Sequence, residues 1–217
     1  MDVSGIKLRL QSLREELDDL LLDLDEVAEA PVVASAAGRT IIYGQKVSAE
    51  FKQGVLWIEE QLGLDANKLM ACMAFETGGT FSAKVRNAAG SSGTGLIQFM
   101  RATHAGMIKQ YPNLAKLAPT HEALAQLSDV QQLSFVYYYF RTFGKDLTAW
   151  SLEDIYMAIL FPKAIGKPLS WPMPWAYGQL AYKQNSGLDL NKDRVITKAE
   201  AAAGVQQRFK LGLALKG

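Results

Sequence analysis

The chain has 217 residues, with 23 Lys and Arg against 22 Asp and Glu and a net charge of +1. That length fits one sizeable domain with an appendage, and the balanced charge gives no electrostatic footprint for nucleic acid. A single cysteine, Cys72, excludes an internal disulfide framework. The N-terminus has no apolar signal core, and no charge-free run reaches transmembrane length. The expectation is a cytoplasmically made protein without stable membrane insertion.

In residues 1–30, Val3, Ile6, Leu10, Leu13, Leu17, Leu20, Leu24 and Val27 alternate spacings of three and four. This predicts an amphipathic helix with one apolar seam and an acidic remainder. Such a seam must be covered, either by self-association or by docking, and Leu8, Leu21 and Leu22 widen it toward docking. Residues 31–45 contain Pro31, small residues and Gly38, and read as a linker.

From residue 46 to 185 the pattern predicts a mainly α domain. Ser48 is an N-cap candidate for a helix with Phe51, Val55, Ile58 and Leu62 on one face and Gly63 as its stop. Next comes ANKLMACMAFET, with Leu69, Met70 and Met73 inward and Cys72 a buried thiol. It ends at Thr77-Gly78-Gly79, which leaves Glu76 in the last turn. A Gly/Ser/Ala loop occupies 84–95, and GLIQFMRATHAGMIKQ predicts the next helix. DVQQLSFVYYYFRTFGK and SLEDIYMAILF predict two more. Pro168, Pro172 and Pro174 with Trp171 and Trp175 mark an irregular segment. No strand alternation is convincing, although a short hairpin near 80–97 stays open.

No Asp or Glu occurs between Glu76 and Glu122. Flanked by Phe75 and Phe81, with Phe99 and Met100 able to fold back, Glu76 meets conditions that raise a carboxyl pKa and suit a proton donor. Ser91, Ser92 and Thr94 offer hydroxyls and Gln98 an amide, as a carbohydrate cleft requires. Taken alone, these residues also fit a solvated glutamate at a helix end.

Glu76-Thr77-Gly78-Gly79-x-Phe81, followed by Ala89-Gly90-Ser91-Ser92-Gly93-Thr94-Gly95-Leu96-Ile97-Gln98-Phe99-Met100, resembles the soluble lytic transglycosylase domain. That lysozyme-like fold is related to goose-type lysozyme, and this version is most similar to bacteriophage endolysins and virion-associated lysins. The likeness spans roughly 46–185. It departs at Arg101, where the family has Pro, and at residues 155–162, where Tyr156 is kept but Met157 stands for the family's Asn.

The resemblance implies peptidoglycan as partner and cleavage of the β-1,4 bond between N-acetylmuramic acid and N-acetylglucosamine. It implies Glu76 as the catalytic residue, with Ser91, Ser92, Thr94, Gln98, Phe99 and Tyr156 binding substrate and no cofactor for catalysis. A lytic transglycosylase needs one carboxyl. A muramidase would need a second, brought by folding from Glu122, Asp129, Asp146, Glu153 or Asp154. A non-catalytic wall-binding module and a virion structural protein are the other readings. A phage lysin would reach the wall from the host cytoplasm or from a virion, its N-terminal helix self-associating or docking on a phage protein.

Residues 189–200, DLNKDRVITKAE, place Asp189, Asn191, Asp193, the Val195 carbonyl, Thr197 and Glu200 at positions 1, 3, 5, 7, 9 and 12 of an EF-hand loop. This predicts a structural Ca²⁺ within a terminal unit, 186–217. Arg194 stands at the sixth position, where glycine normally takes a positive φ, at a cost of about 1 kcal/mol.

Overall fold

The computed structural model describes residues 38–217 apart from 88–89, 178–181 and 184. The seam at residues 3–27 lies outside the described residues. The fold is mainly α. Its helices are α1 (Ala49–Leu62), α2 (Ala66–Glu76), α3 (Arg101–Gln110), α4 (Leu114–Leu117), α5 (His121–Leu124), α6 (Asp129–Arg141), α7 (Leu152–Leu160) and α8 (Lys198–Gly212).

Local chemistry sets the ends of these helices. The Ser48 hydroxyl accepts from Phe51 N–H, and α1 stops at Gly63, whose φ of 65° suits glycine. Asp65 caps α2 by accepting from Lys68 N–H. Capping boxes open α6 at Ser128 and Gln131, α7 at Ser151 and Asp154, and α8 at Thr197 and Glu200.

Helix α2 is the hub. Leu69 through Ala74 are all fully buried, because α1, α7 and α8 pack around this segment. A helix that is apolar all round must sit inside a bundle. Helix α6 lies against α1 and contributes Phe135, Val136, Tyr137, Tyr138 and Phe140 to the core.

Three expectations change. The helix predicted from Gly95 starts at Arg101. Residues 95–100 form a turn because Gln98 takes a φ of 53°, outside the helical region, and Arg101 N–H, which a helix would send to the Ile97 carbonyl, goes to Ser92 Oγ at 3.1 Å; the Gln132 side chain accepts from Leu96 N–H at 2.7 Å. The hairpin reduces to one antiparallel bridge, Arg86 to Thr94.

The expected linker is partly core. Ile41 and Ile42 are fully buried, Ile42 N–H donates to Asn67, and Ile41 pairs with the Gly217 backbone in both directions. The terminal unit likewise packs on the hub through α8.

A buried ion pair fixes the start of α8. The Lys198 ammonium donates to Asp154 Oδ1 at 2.5 Å and to the Lys167 carbonyl at 2.9 Å, with its side chain 2 % exposed.

Candidate active site around Glu76

Glu76 is the last residue of α2, and a tight turn follows it. Thr77 is buried; its hydroxyl donates to the Met73 carbonyl at 2.6 Å and accepts from Phe81 N–H at 3.0 Å. Gly78 and Gly79 have φ of 63° and 85°. A side chain at Gly78 would meet open space, so the surface beside Glu76 stays flat. Phe81 turns inward onto Tyr43 and Phe51. It anchors the turn beneath the surface and does not wall the carboxyl.

The residue before Glu76 is packed between α7 and α8. Phe75 meets the Tyr156 ring edge-on at 5.3 Å. Gly204 of α8 lies so close that an added methyl would sit 2.3 Å from the Phe75 ring. Burial raises Glu76 to a pKa of about 7. No hydrogen bond or ion pair to its carboxyl is formed among the described residues. The Tyr156 hydroxyl is pushed far up, first by burial and then by the neighbouring Glu76 charge, so it stays protonated.

Cys72, one turn earlier, is fully buried, and burial together with Glu76 and Glu153 pushes its thiol well up. It is inert as a nucleophile. His104 and His121 are buried and spend their Nε2 on the Ala118 and Phe99 carbonyls.

The other candidate acids each have a partner, although Glu153 lies near enough to act, like Glu76, on Cys72. Glu122 pairs with Arg101 at 2.6 Å. Asp129 accepts from Val130 N–H. Asp146 accepts from the Thr148 hydroxyl and N–H, Glu153 holds the Gln206 amide, and Asp154 holds Lys198.

The expected substrate residues divide. Ser91 is exposed, and Ser92 and Gln98 are partly exposed. Thr94 is fully buried, its hydroxyl donating to the Ser92 carbonyl and accepting from Arg86. Phe99 is 2 % exposed and packs on Phe135 and Tyr139. Both side chains brace the loop and do not line an open surface, because the loop closes on α6. Tyr156 is buried beside Glu76.

Sequence reading missed Gln132. Its amide is fully buried, accepts from Leu96 N–H and donates to the Ala83 and Leu124 carbonyls, pinning the 83–96 loop to α6. A signal existed: Gln132 lies three and four residues before Phe135 and Val136, on an apolar face.

At residues 189–200, Arg194 takes φ 68°, the conformation the sixth position needs. Asp189 accepts from Lys192 and Arg194 N–H and from the Tyr182 hydroxyl. Glu200 Oε2 accepts from Thr197, and its Oε1 lies 3.4 Å from Asn191 N. Ile196 is buried, and its carbonyl accepts from Met173 N–H. Among the described residues no three His, Cys, Asp or Glu side chains converge as a metal site. Amide, hydroxyl and carbonyl oxygens would complete a calcium set here.

Comparison with protein-family models, curated proteins and solved structures gives no match. The functional reading therefore rests on residue chemistry and the resemblance of the motif.

Proposed function

We propose that the chain is a peptidoglycan-cleaving lytic transglycosylase of the lysozyme-like, phage-lysin kind. One observation carries the reading: a single carboxyl, desolvated and unpartnered, poised at a pKa of about 7, while the alternative acids are tied up. A group balanced at that pH serves as acid and then as base with little driving-force penalty in either direction.

In this mechanism Glu76 protonates the glycosidic oxygen between N-acetylmuramic acid and N-acetylglucosamine. The substrate's own N-acetyl oxygen stabilises the cationic anomeric carbon. Glu76, now a carboxylate, takes the proton of the muramic 6-hydroxyl as that oxygen attacks the anomeric carbon. The product carries a 1,6-anhydro ring, and no second carboxylate is needed. Tyr156, held protonated beside Glu76, remains a hydrogen-bond donor at both steps.

Exposed atoms of Ser91, Ser92 and Gln98 are the sugar contacts in this reading. A structural Ca²⁺ held by Asp189, Asn191, Asp193, the Val195 carbonyl, Thr197 and Glu200 would brace the start of α8. Delivery would be from the host cytoplasm or from a virion. Consistent with either route, no helix among the described residues is long and apolar enough to cross a membrane.

Mass spectrometry of fragments from purified peptidoglycan tests the reading. Glu76-dependent fragments lighter by one water, with anhydro ends, are expected. Reducing ends would replace it with a muramidase. Binding without release would leave a wall-binding module.

A further inference from the structure

Helix α8 lays one stripe across the region that holds Glu76. Gly204 meets the Phe75 ring, and Gly212 meets the Tyr43 ring. Both glycines lie where a methyl would collide, at 2.3 Å and 2.6 Å respectively, so the helix is drawn against its neighbours. Between them, one turn from each, stands Arg208. Its Nη1 lies 3.7 Å from the position a side chain would occupy at Gly79. Tyr43 fixes this part of α8 by donating its hydroxyl to the Arg208 carbonyl at 2.7 Å.

The Arg208 side chain is partly exposed and makes no ion pair or hydrogen bond among the described residues. It does not cap α2, whose final turn is closed by Thr77 and Gly78 N–H groups. Nor does it neutralise Glu76, whose pKa is raised. A guanidinium whose donors meet no partner among the described residues, held over a glycine turn two to three residues from the acid, is arranged to meet an anionic group on a bound polymer. Its planar fork suits a carboxylate.

We infer that Arg208 is a specificity residue that binds a carboxylate of the substrate beside Glu76. This rests on the peptidoglycan reading, where carboxylates on the stem peptides are the anions available. Those carboxylates flank the glycan bond on the muramic acid side, so the contact selects peptide-bearing strands.

The test compares native peptidoglycan with the same material after carbodiimide coupling of its carboxylates to methylamine, using the full chain. Arg208→Gln is expected to raise KM about tenfold on native material with kcat nearly unchanged, and to have little effect on the amidated form. Arg208→Lys, which keeps the charge without the fork, should fall between wild type and Arg208→Gln on native material alone. Equal losses on both substrates would mean that Arg208 only packs against Gly79, and no loss on either would remove it from recognition; each overturns the inference. Should wild type release nothing from either form, the peptidoglycan reading and this inference fall together. Wild-type cleavage without selective loss removes Arg208 alone.

Discussion

Glu76 and Asp154 are both withdrawn from water near the hub helix, and their environments push them in opposite directions. Burial also pushes Asp154 upward, but the Lys198 ammonium, the Gly166 N–H and the Ser151 hydroxyl together hold it below its ordinary value. Glu76 receives none of this and rises to about 7. The fold supplies a buried cation and hydrogen bonds from Gly166 N–H and from the Ser151 N–H and hydroxyl to one acid, and buries the other with no such partner among the described residues. Two carboxyls driven apart in this way are what the proposed function needs: a paired anion that holds the fold and a raised acid free to exchange a proton.

The sharpest way to break this contrast is to remove the raised acid. Glu76→Gln should reduce fragment release by on the order of 10³-fold, measured on purified peptidoglycan, with the fold intact by circular dichroism. Retained release would transfer catalysis to another residue.

The paired acid should behave otherwise. Asp154→Asn leaves the buried Lys198 ammonium without its counter-ion, and a loss of about 3 kcal/mol is expected in urea denaturation. Activity at temperatures where the variant is folded should survive. A variant as stable as wild type would show that the pair adds nothing.

The pH dependence of stability separates the two acids further. Glu76 is raised in the folded state from an ordinary value near 4.5 to about 7. Between those values the folded chain therefore holds more proton than the unfolded chain, and stability falls as pH rises. Asp154 is depressed, so its contribution is present above its unfolded pKa and is lost as pH falls through the folded one. Glu76→Gln should accordingly be the more stable protein at pH 8, by about 3 kcal/mol, and the gain should vanish near pH 4. Thermal melts of both proteins across that range check it; a gain that persists at pH 4 would point to packing and not to charge.

A smaller change probes the apolar wall. Gly204→Ala places a methyl against Phe75 and should cost about 1–2 kcal/mol. By moving Phe75 off Tyr156 it should admit water and lower the upper pKa of the pH–rate profile. An unshifted profile would detach the wall from the acid. The least effect is expected at the 189–200 loop. Millimolar Ca²⁺ should raise the melting temperature relative to chelator by a few degrees, as binding to the folded state alone requires, and Asp189→Ala should abolish the rise.

Much of the fold was legible because helix ends are local chemistry. Ser48 and Gly63 sit within a turn of the backbone groups they satisfy, so their roles could be read from neighbouring residues; the caps at Asp65 and Ser151 are equally local but were not read. The start of α3 was not legible, because Gln98 takes a φ of 53° and Ser92, nine residues back, accepts the Arg101 N–H that a helix from Gly95 would have sent to the Ile97 carbonyl. Separation along the chain hid the burial of Ile41, whose backbone partner is Gly217.

By itself the sequence determined that the chain is mainly helical, that Glu76 ends a helix before a glycine turn, and that no acid follows until Glu122. Only the tertiary structure decided what Glu76 experiences. Burial raises its pKa, and that burial comes with the packing of α2 against α7 and α8, elements far apart in the chain. A carboxyl's proton affinity is set by the water and charges that such packing removes or supplies, and no local pattern carries that information.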